Sequence, residues 1–149
     1  MKEEHLISLT DKLIADLRAI DSEENKDRTI KTTALVVDDD PNIASLMEKL
    51  LMSHDVFVNT AHTGSAAIEM IKNLQYHLVF LDLHLPDIDG IAVLKRIREL
   101  QPGTRVIIIS LYPEMMACIP TDQFVGYCAK PFSSQIVDEI LQKYKLIRK

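Results

Sequence analysis

The sequence predicts an α/β fold in which a five-stranded parallel sheet lies between helices on both of its faces. Apolar segments alternate with segments whose apolar residues recur every three or four positions, which is the pattern of strands alternating with amphipathic helices. The strongest apolar segments are continuous, as is typical of strands covered on both faces. Right-handed crossovers between such units produce a three-layer α/β/α sandwich.

The first 31 residues predict an amphipathic helix followed by a polar linker. Leucine and isoleucine recur at helical spacing from Leu6 to Ile20, and residues 21–28 are polar and charged without periodicity. We therefore expect an N-terminal helical extension over residues 1–31 and a domain over residues 32–149. The extension could dimerise, dock on the domain, bind a partner or form a frayed tail.

Five strands follow in the domain, and short connections separate them from the helices between them. The predicted strands are Ala34–Val37, Val56–Asn59, Leu78–Leu81, Val106–Ile109 and Val125–Cys128.

Amphipathic helices are predicted after the first, second, third and fifth strands. Asp40 and Pro41 match the N-cap and first residue of the first helix. The helix after the fourth strand should be short or irregular, because Pro113 and Pro120 bracket it. The four apolar faces lie within Ile43–Leu51, Ala67–Leu74, Val93–Leu100 and Ile136–Tyr144.

Composition predicts a cytoplasmic protein with no membrane span and no direct nucleic-acid partner. The 149 residues carry a net charge of −5, with acids and bases interspersed rather than gathered into a basic face. No apolar run approaches the length of a membrane helix, and the first residues are too acidic for a secretory signal. Cys118 and Cys128 lack metal-binding or redox spacing and are expected to be reduced. No DNA-binding pattern follows the domain, so we do not expect transcriptional output from this sequence.

Polar residues follow the strands at the same end of each. Asp38 and Asp39 follow the first strand, Asp82 ends the third, Ser110 ends the fourth and Lys130 follows the fifth. The carboxyl ends of parallel strands meet at one edge, where open α/β folds bind ligands. Neighbouring carboxylates repel each other, and a hard divalent cation relieves that repulsion. The sequence leaves the strand order open, but adjacency of the first and third strands would bring the acids together.

Four segments, in this order, resemble the receiver domain of two-component response regulators. They are Val36–Pro41, Phe80–Gly90, Ile109–Ser110 and Tyr127–Phe132. Each segment is weak evidence alone, but the four together are specific, and the resemblance covers roughly residues 32–149. It implies a flavodoxin-like doubly wound sheet of strand order 2-1-3-4-5.

The resemblance also implies a phosphoryl-acceptor site. Asp82 would be the phospho-acceptor. Asp38, Asp39, Asp82 and the backbone carbonyl of His84 would hold Mg²⁺. The side chain of His84 would lie at the mouth of the site, where it either modulates hydrolysis of the phosphoryl group or is merely exposed. Asp87 and Asp89 are expected to form the turn before the third helix rather than a second metal site.

Three further residues are implied to respond to the phosphoryl group. Lys130 would pair with it, Ser110 would contact it, and Tyr127 would be the aromatic residue whose orientation reports the switch. The Lys130–Pro131 peptide bond is expected to be cis, as is usual in the family.

The function implied is a receiver that takes a phosphoryl group from a histidine kinase or phosphotransfer protein and then changes its affinity for an unknown downstream protein. Such a domain is not an enzyme beyond assisting its own phosphorylation and dephosphorylation. One alternative is a pseudo-receiver that acts as a constitutive interaction module. A metal-dependent phosphatase is less favoured, because that chemistry generally needs a second acid where this chain has His84.

The sequence departs from the family after Ser110. Leu111 stands where a small residue is common, so access to Asp82 by small phosphodonors should be narrower. The proline-bracketed helix carries Met115 and Met116, which would suit an adaptable partner surface. Homodimerisation through that region is therefore left open.

Overall fold

A computed structural model describes residues 32–143 and shows one sheet of five parallel strands. The strands are β1 (Thr33–Val37), β2 (Phe57–Ala61), β3 (Leu78–Asp82), β4 (Arg105–Ser110) and β5 (Gly126–Ala129). Their order across the sheet is β2-β1-β3-β4-β5, which confirms the predicted doubly wound fold. The predicted N-terminal helix and linker lie outside the described residues, and the boundary after residue 31 stays a prediction.

Helices connect the strands and cover both faces of the sheet. They are α1 (Pro41–Met52), α2 (Gly64–Asn73), α3 (Gly90–Leu100) and α4 (Ser134–Lys143). The connection between β4 and β5 contains only a 3-10 helix, Pro113–Cys118, which confirms the expected irregular segment. Pro113 suits the first turn of that helix, because its missing N–H needs no partner there.

The core consists of two apolar layers, one on each side of the sheet. Residues of β1, β3 and β4 alternate between the layers, so Phe80 packs with α1 and α4 whereas its neighbour Leu81 packs with α2 and α3. Each of these three strands is buried almost throughout. Dense packing on both faces resists displacement of the strand ends and so fixes the positions of the polar residues that follow them.

Helix caps set the conformation of the loops at the carboxyl edge. Asp40 accepts a hydrogen bond from the backbone N–H of Asn42 at 2.9 Å, which confirms it as the N-cap of α1. Asp89 caps α3. Asp87 instead accepts from the backbone N–H groups of Gly64 and Ser65 and so caps α2 from across the edge, a contact that the sequence did not indicate.

A buried amide ties the elements together at the opposite edge of the sheet. The Nε2 atom of Gln101 donates to the carbonyl oxygens of Ile71 and Leu74, at 2.7 and 2.5 Å. Its Oε1 atom accepts from the Tyr76 N–H and from the Thr104 hydroxyl, at 3.0 and 2.8 Å. This side chain is therefore fully bonded, and it joins the end of α2 to the segment after α3.

Gly90 permits α3 to begin directly against the end of β3. A Cβ atom at this position would lie 2.4 Å from the Leu83 Cα and 2.8 Å from the Asp82 carbonyl oxygen. Both atoms are backbone, so they cannot rotate away. We expect Gly90→Ala to lower the free energy of unfolding by about 2–3 kcal/mol, measured by urea denaturation.

Gly103→Ala is the matched control, because a Cβ there meets nothing within 4 Å. Equal stability of the two variants would contradict the close packing of α3 on β3.

Candidate functional site

Three carboxylates meet at the carboxyl edge of the sheet. β1 and β3 are neighbours, so Asp38 and Asp39, which follow β1, lie beside Asp82 at the end of β3. One carboxylate oxygen from each residue lies within 4.8 Å of the others. Asp38 is fully buried, Asp82 is 3% exposed and Asp39 is exposed. The structure thus brings together the three acids that the sequence placed at this edge.

Lys130 is the cation of this cluster. Its Nζ atom lies 2.7 Å from Asp38 Oδ2 and 3.1 Å from Asp82 Oδ2, and only 12% of its side chain is exposed. The peptide bond to Pro131 that follows it is cis, as predicted. One ammonium group thus faces three carboxylates, so the cluster holds more negative than positive charge.

Backbone hydrogen bonds orient both buried acids. The N–H of His84 donates to Asp82 Oδ1 at 3.0 Å, and the N–H of Asp40 donates to Asp38 Oδ1 at 2.9 Å. Each carboxylate therefore has one oxygen held by the backbone and the other turned toward Lys130. A metal-ligand role for the His84 carbonyl stays a prediction.

Burial makes the ionised form of Asp38 costly. It raises the pKa of Asp38 above its ordinary value, and the contact with Lys130 only partly offsets this effect, while the charge of Asp82 adds to it. Burial also opposes the charge of Lys130, but the two acids outweigh it and the pKa of Lys130 is raised. The acids and the lysine therefore stabilise each other, and excess negative charge remains.

This donor set suits a hard divalent cation. Carboxylate oxygens are the side-chain ligands that Mg²⁺ prefers, typically one or two of them with water and phosphate. Among residues 32–143, no donor reaches the buried Asp38 Oδ2 with hydrogen-bond geometry, although Lys130 lies close to it. A carboxylate oxygen has two lone pairs, so this atom has capacity for a cation besides Lys130. Asp38, Asp39 and Asp82 therefore fit Mg²⁺ by charge and by chemistry.

Asp38→Asn tests the cost of this excess charge. The amide removes a buried charge but can still accept from the Asp40 N–H. Because the pKa of Asp38 is higher in the folded than in the unfolded chain, its ionisation lowers stability as pH rises through that interval. Without Mg²⁺ at neutral pH, urea denaturation should show the variant more stable by on the order of 1 kcal/mol.

Added Mg²⁺ should stabilise the wild type and have little effect on this variant. Asp39→Asn is the control for the metal-free comparison, because Asp39 is exposed and its removal should change stability little. A metal-free Asp38→Asn protein that is less stable than the wild type would contradict this account.

Ser110 and Tyr127 lie beside the acidic cluster, but the hydrogen bonds of their side chains are to backbone atoms of Ser110 and Tyr112. Ser110 is fully buried, and its Oγ accepts the backbone N–H of Tyr112 at 2.9 Å. The Tyr127 hydroxyl donates to the Ser110 carbonyl oxygen at 3.0 Å. Tyr127 thus attaches to the end of β4, while the Ser110 side chain is held by the loop that follows. Their roles toward a phosphoryl group stay predictions.

Two aromatic rings meet at the mouth of the site. The rings of His84 and Tyr112 lie 5.0 Å apart, at an interplanar angle of 75°, in an edge-to-face contact. Leu111, next to Tyr112, is 57% exposed. The ring pair was not predicted from the sequence, in which His84 and Leu111 were of interest for separate reasons. The available signal was that His84 and Tyr112 each lie two residues beyond a site residue, Asp82 and Ser110.

Comparison with known proteins identifies the family. The family model described as "Response regulator receiver domain" matches residues 34–142, which is most of the chain. The chain belongs to the response regulator receiver family. Receiver relatives include the transcriptional regulatory protein ZraR of Escherichia coli K12, 30% identical over 111 residues, which are 73% of this chain and 25% of ZraR. The probable transcriptional regulatory protein TcrX of Mycobacterium tuberculosis is 32% identical over 124 residues, covering 78% of this chain and 50% of TcrX.

Solved receiver structures share the fold. A CheY-like receiver domain from Methanospirillum hungatei has a TM-score of 0.72 and 27% identity, covering 78% of this chain and 94% of that one. The response regulator TrrA of Thermotoga maritima, solved in complex with Mg²⁺-BeF, has a TM-score of 0.69 and 28% identity, covering 75% and 97%. The chain therefore spans nearly all of these receiver domains, but a quarter to a half of the curated relatives.

No helix within residues 32–143 is both long enough and apolar enough to span a bilayer. Cytoplasmic location and homodimerisation stay predictions.

Proposed function

We propose that this receiver accepts a phosphoryl group on Asp82 from a histidine kinase or phosphotransfer protein, with Mg²⁺, and that the modification changes its affinity for a downstream protein. The observation that carries the proposal is the close cluster of Asp38, Asp39, Asp82 and Lys130 at one edge of the sheet. The chain would have no enzymatic activity beyond assisting its own phosphorylation and dephosphorylation.

Asp82 is suited to act as the nucleophile. Its carboxylate is held by the His84 N–H on one oxygen and by Lys130 on the other, so little reorganisation is needed before attack. As an Asp82 oxygen bonds to phosphorus, the phosphorus–nitrogen bond of the donor phosphohistidine breaks and its electron pair returns to the imidazole. Lys130 would then neutralise charge on the transferred group.

The metal would complete the charge balance. Asp38, Asp39, Asp82 and the His84 carbonyl would hold Mg²⁺, which when bound neutralises charge on the phosphoryl oxygens. The protein's own part is to present these oxygens from two neighbouring strands and to pair the buried carboxylates with Lys130.

Phosphorylation of Asp82 would alter the electrostatic interactions around Lys130 and, with them, the conformation of the neighbouring loops. An aspartyl phosphate adds about one to two negative charges beside Lys130, by analogy with other phosphorylated side chains. Ser110 and Tyr127, which share the end of β4, are the groups placed to respond, and the surface around β4 and β5 would change with them.

The rival functions lack a supporting feature. A constitutive pseudo-receiver has no need for three acids and a buried lysine, whose excess charge costs stability. A phosphatase would need a second acid two residues beyond Asp82, where His84 stands.

Gene regulation is a candidate output of the whole protein, although no direct transcriptional output was expected from this sequence. ZraR and TcrX are named transcriptional regulators, and this chain matches only part of each. We therefore propose regulation of transcription as one output of a protein that contains this domain.

Beryllofluoride, a noncovalent mimic of a phosphoryl group, tests the proposal without a cognate kinase. Fluorine NMR of the protein with beryllium, fluoride and Mg²⁺ should show a bound species that disappears when Mg²⁺ or beryllium is omitted. Absence of any bound species at saturating Mg²⁺ would favour the pseudo-receiver instead.

A further inference from the structure

The Asp82 carboxylate and the Ser110 hydroxyl each accept a hydrogen bond from the backbone of an aromatic residue two positions further along the chain. Asp82 accepts the backbone N–H of His84, and Ser110 Oγ accepts the backbone N–H of Tyr112. The rings of His84 and Tyr112 then contact each other edge to face at 5.0 Å. The ring contact thereby joins the loop after β3, which holds Asp82, to the loop after β4, which holds Ser110.

The ring contact has the properties of a weak, breakable link. Both side chains are exposed, Tyr112 by 46%, so no surrounding core holds the rings together. An edge-to-face pair of this kind biases an equilibrium by about two- to tenfold. That is enough to shift a loop between two positions and too little to lock it.

The Ser110 hydroxyl is bonded to its own loop rather than to the groups at which the proposed reaction takes place. Its hydrogen bonds among residues 32–143 are to the backbone of Tyr112, and none joins it to Asp82 or Lys130. The O–H itself donates toward the Tyr112 carbonyl oxygen, at 3.5 Å, and it must give up this contact to donate to a phosphoryl group on Asp82. Whatever holds Tyr112 in place therefore opposes phosphoryl binding.

We propose that the His84–Tyr112 ring contact holds the Ser110 hydroxyl away from Asp82, so that His84 and Tyr112 are positioning residues that restrain the binding of a phosphoryl group. The inference rests on the proposed function of Asp82. The restraint acts through the loop, and both residues keep their backbone contacts to Asp82 and Ser110 when their rings are removed.

The experiment measures beryllofluoride affinity at saturating Mg²⁺ in His84→Ala, Tyr112→Ala and the double variant. Each single variant should bind beryllofluoride about two- to tenfold more tightly than the wild type. The double variant should bind no more tightly than either single variant, because the same contact is lost in all three. Affinity for Mg²⁺ alone should be unchanged, since the acids and the His84 carbonyl remain.

Two further variants separate the ring contact from simple crowding. Tyr112→Phe retains the ring and should bind beryllofluoride as the wild type does. Leu111→Ala removes exposed bulk from the same loop and leaves both rings in place. Wider access to Asp82 would raise the rates of binding and release alike, so the equilibrium affinity should also stay unchanged.

Several outcomes would overturn the inference. Wild-type affinity in both single alanine variants, additive gains in the double variant, or an equal gain in Leu111→Ala would each show that the ring contact is not the restraint. These results leave the proposed function intact, because they presuppose that the wild type binds beryllofluoride. A wild type that binds none would overturn the proposed function and this inference together.

Discussion

Asp82→Asn should reduce phosphoryl incorporation from phosphoramidate and Mg²⁺ to background. The amide retains the shape of the side chain and an oxygen for the His84 N–H, but it is not a nucleophile and carries no charge to pair with Lys130. Intact-protein mass spectrometry after incubation measures the covalent adduct directly. The expected loss is complete within detection, since we propose Asp82 as the single acceptor.

Asp89→Asn is the matched control from the same loop. Asparagine caps helices as well as aspartate does, so α3 should begin normally and incorporation should match that of the wild type. Asp82→Asn protein that is still modified as fast as this control would show that another residue accepts the phosphoryl group.

Lys130→Met should produce the largest loss of stability at the site. Without the ammonium group, the buried Asp38 and Asp82 carboxylates face each other uncompensated, and removal of one partner from a buried ionic cluster costs about 3–5 kcal/mol. Urea denaturation at neutral pH in metal-free buffer measures the loss. Added Mg²⁺ should recover part of it by supplying a cation to the same acids.

The pH dependence of this loss follows from the pKa shifts. The pKa of Lys130 is raised in the folded protein. The stability that Lys130 contributes is therefore fully present below the pKa of a lysine in the unfolded chain, and it is lost only as strongly alkaline pH is reached. The pKa of Asp38 is also raised by burial, so as the pH falls it takes up a proton earlier than in the unfolded chain and needs a cation less. The difference between wild type and Lys130→Met should therefore be larger at neutral pH than in mild acid.

Lys72→Met controls for the loss of a lysine. Lys72 lies on the surface, 3.6 Å from Glu69 on the same helix, and exposed pairs of this kind contribute about 0–1 kcal/mol. If Lys130→Met and Lys72→Met lose equal stability, the buried cluster does not depend on Lys130 as described here.

The architecture was predictable because its signals are local. Continuous apolar runs identified β1, β3 and β4 to within a residue or so, and the same alternation located the helices between them. The limits of β2 were less accurate, with Val56–Asn59 expected and Phe57–Ala61 found. β2 pairs only with β1, and its start is set by the pairing of Phe57 with Thr33, which no local pattern encodes.

The acidic cluster was predictable for a different reason. Parallel strands align their carboxyl ends, so Asp38 and Asp82 had to meet once β1 and β3 were neighbours. The hydrogen bond from Tyr112 to Ser110 and the contact of its ring with His84 depend on the conformations of two loops. Contacts between loops produce no periodic pattern in the sequence, so they could not be predicted from it. The contacts of the buried Gln101 amide could not be predicted for the same reason.

The most direct test of the account is chemical identification of the phosphorylated residue. Borohydride reduces an aspartyl phosphate to homoserine, which marks the modified position permanently in a peptide map. After incubation with phosphoramidate and Mg²⁺ under conditions in which beryllofluoride binds, we expect homoserine at position 82 and at no other aspartate. Homoserine elsewhere, or an unmodified Asp82 under those conditions, would contradict it.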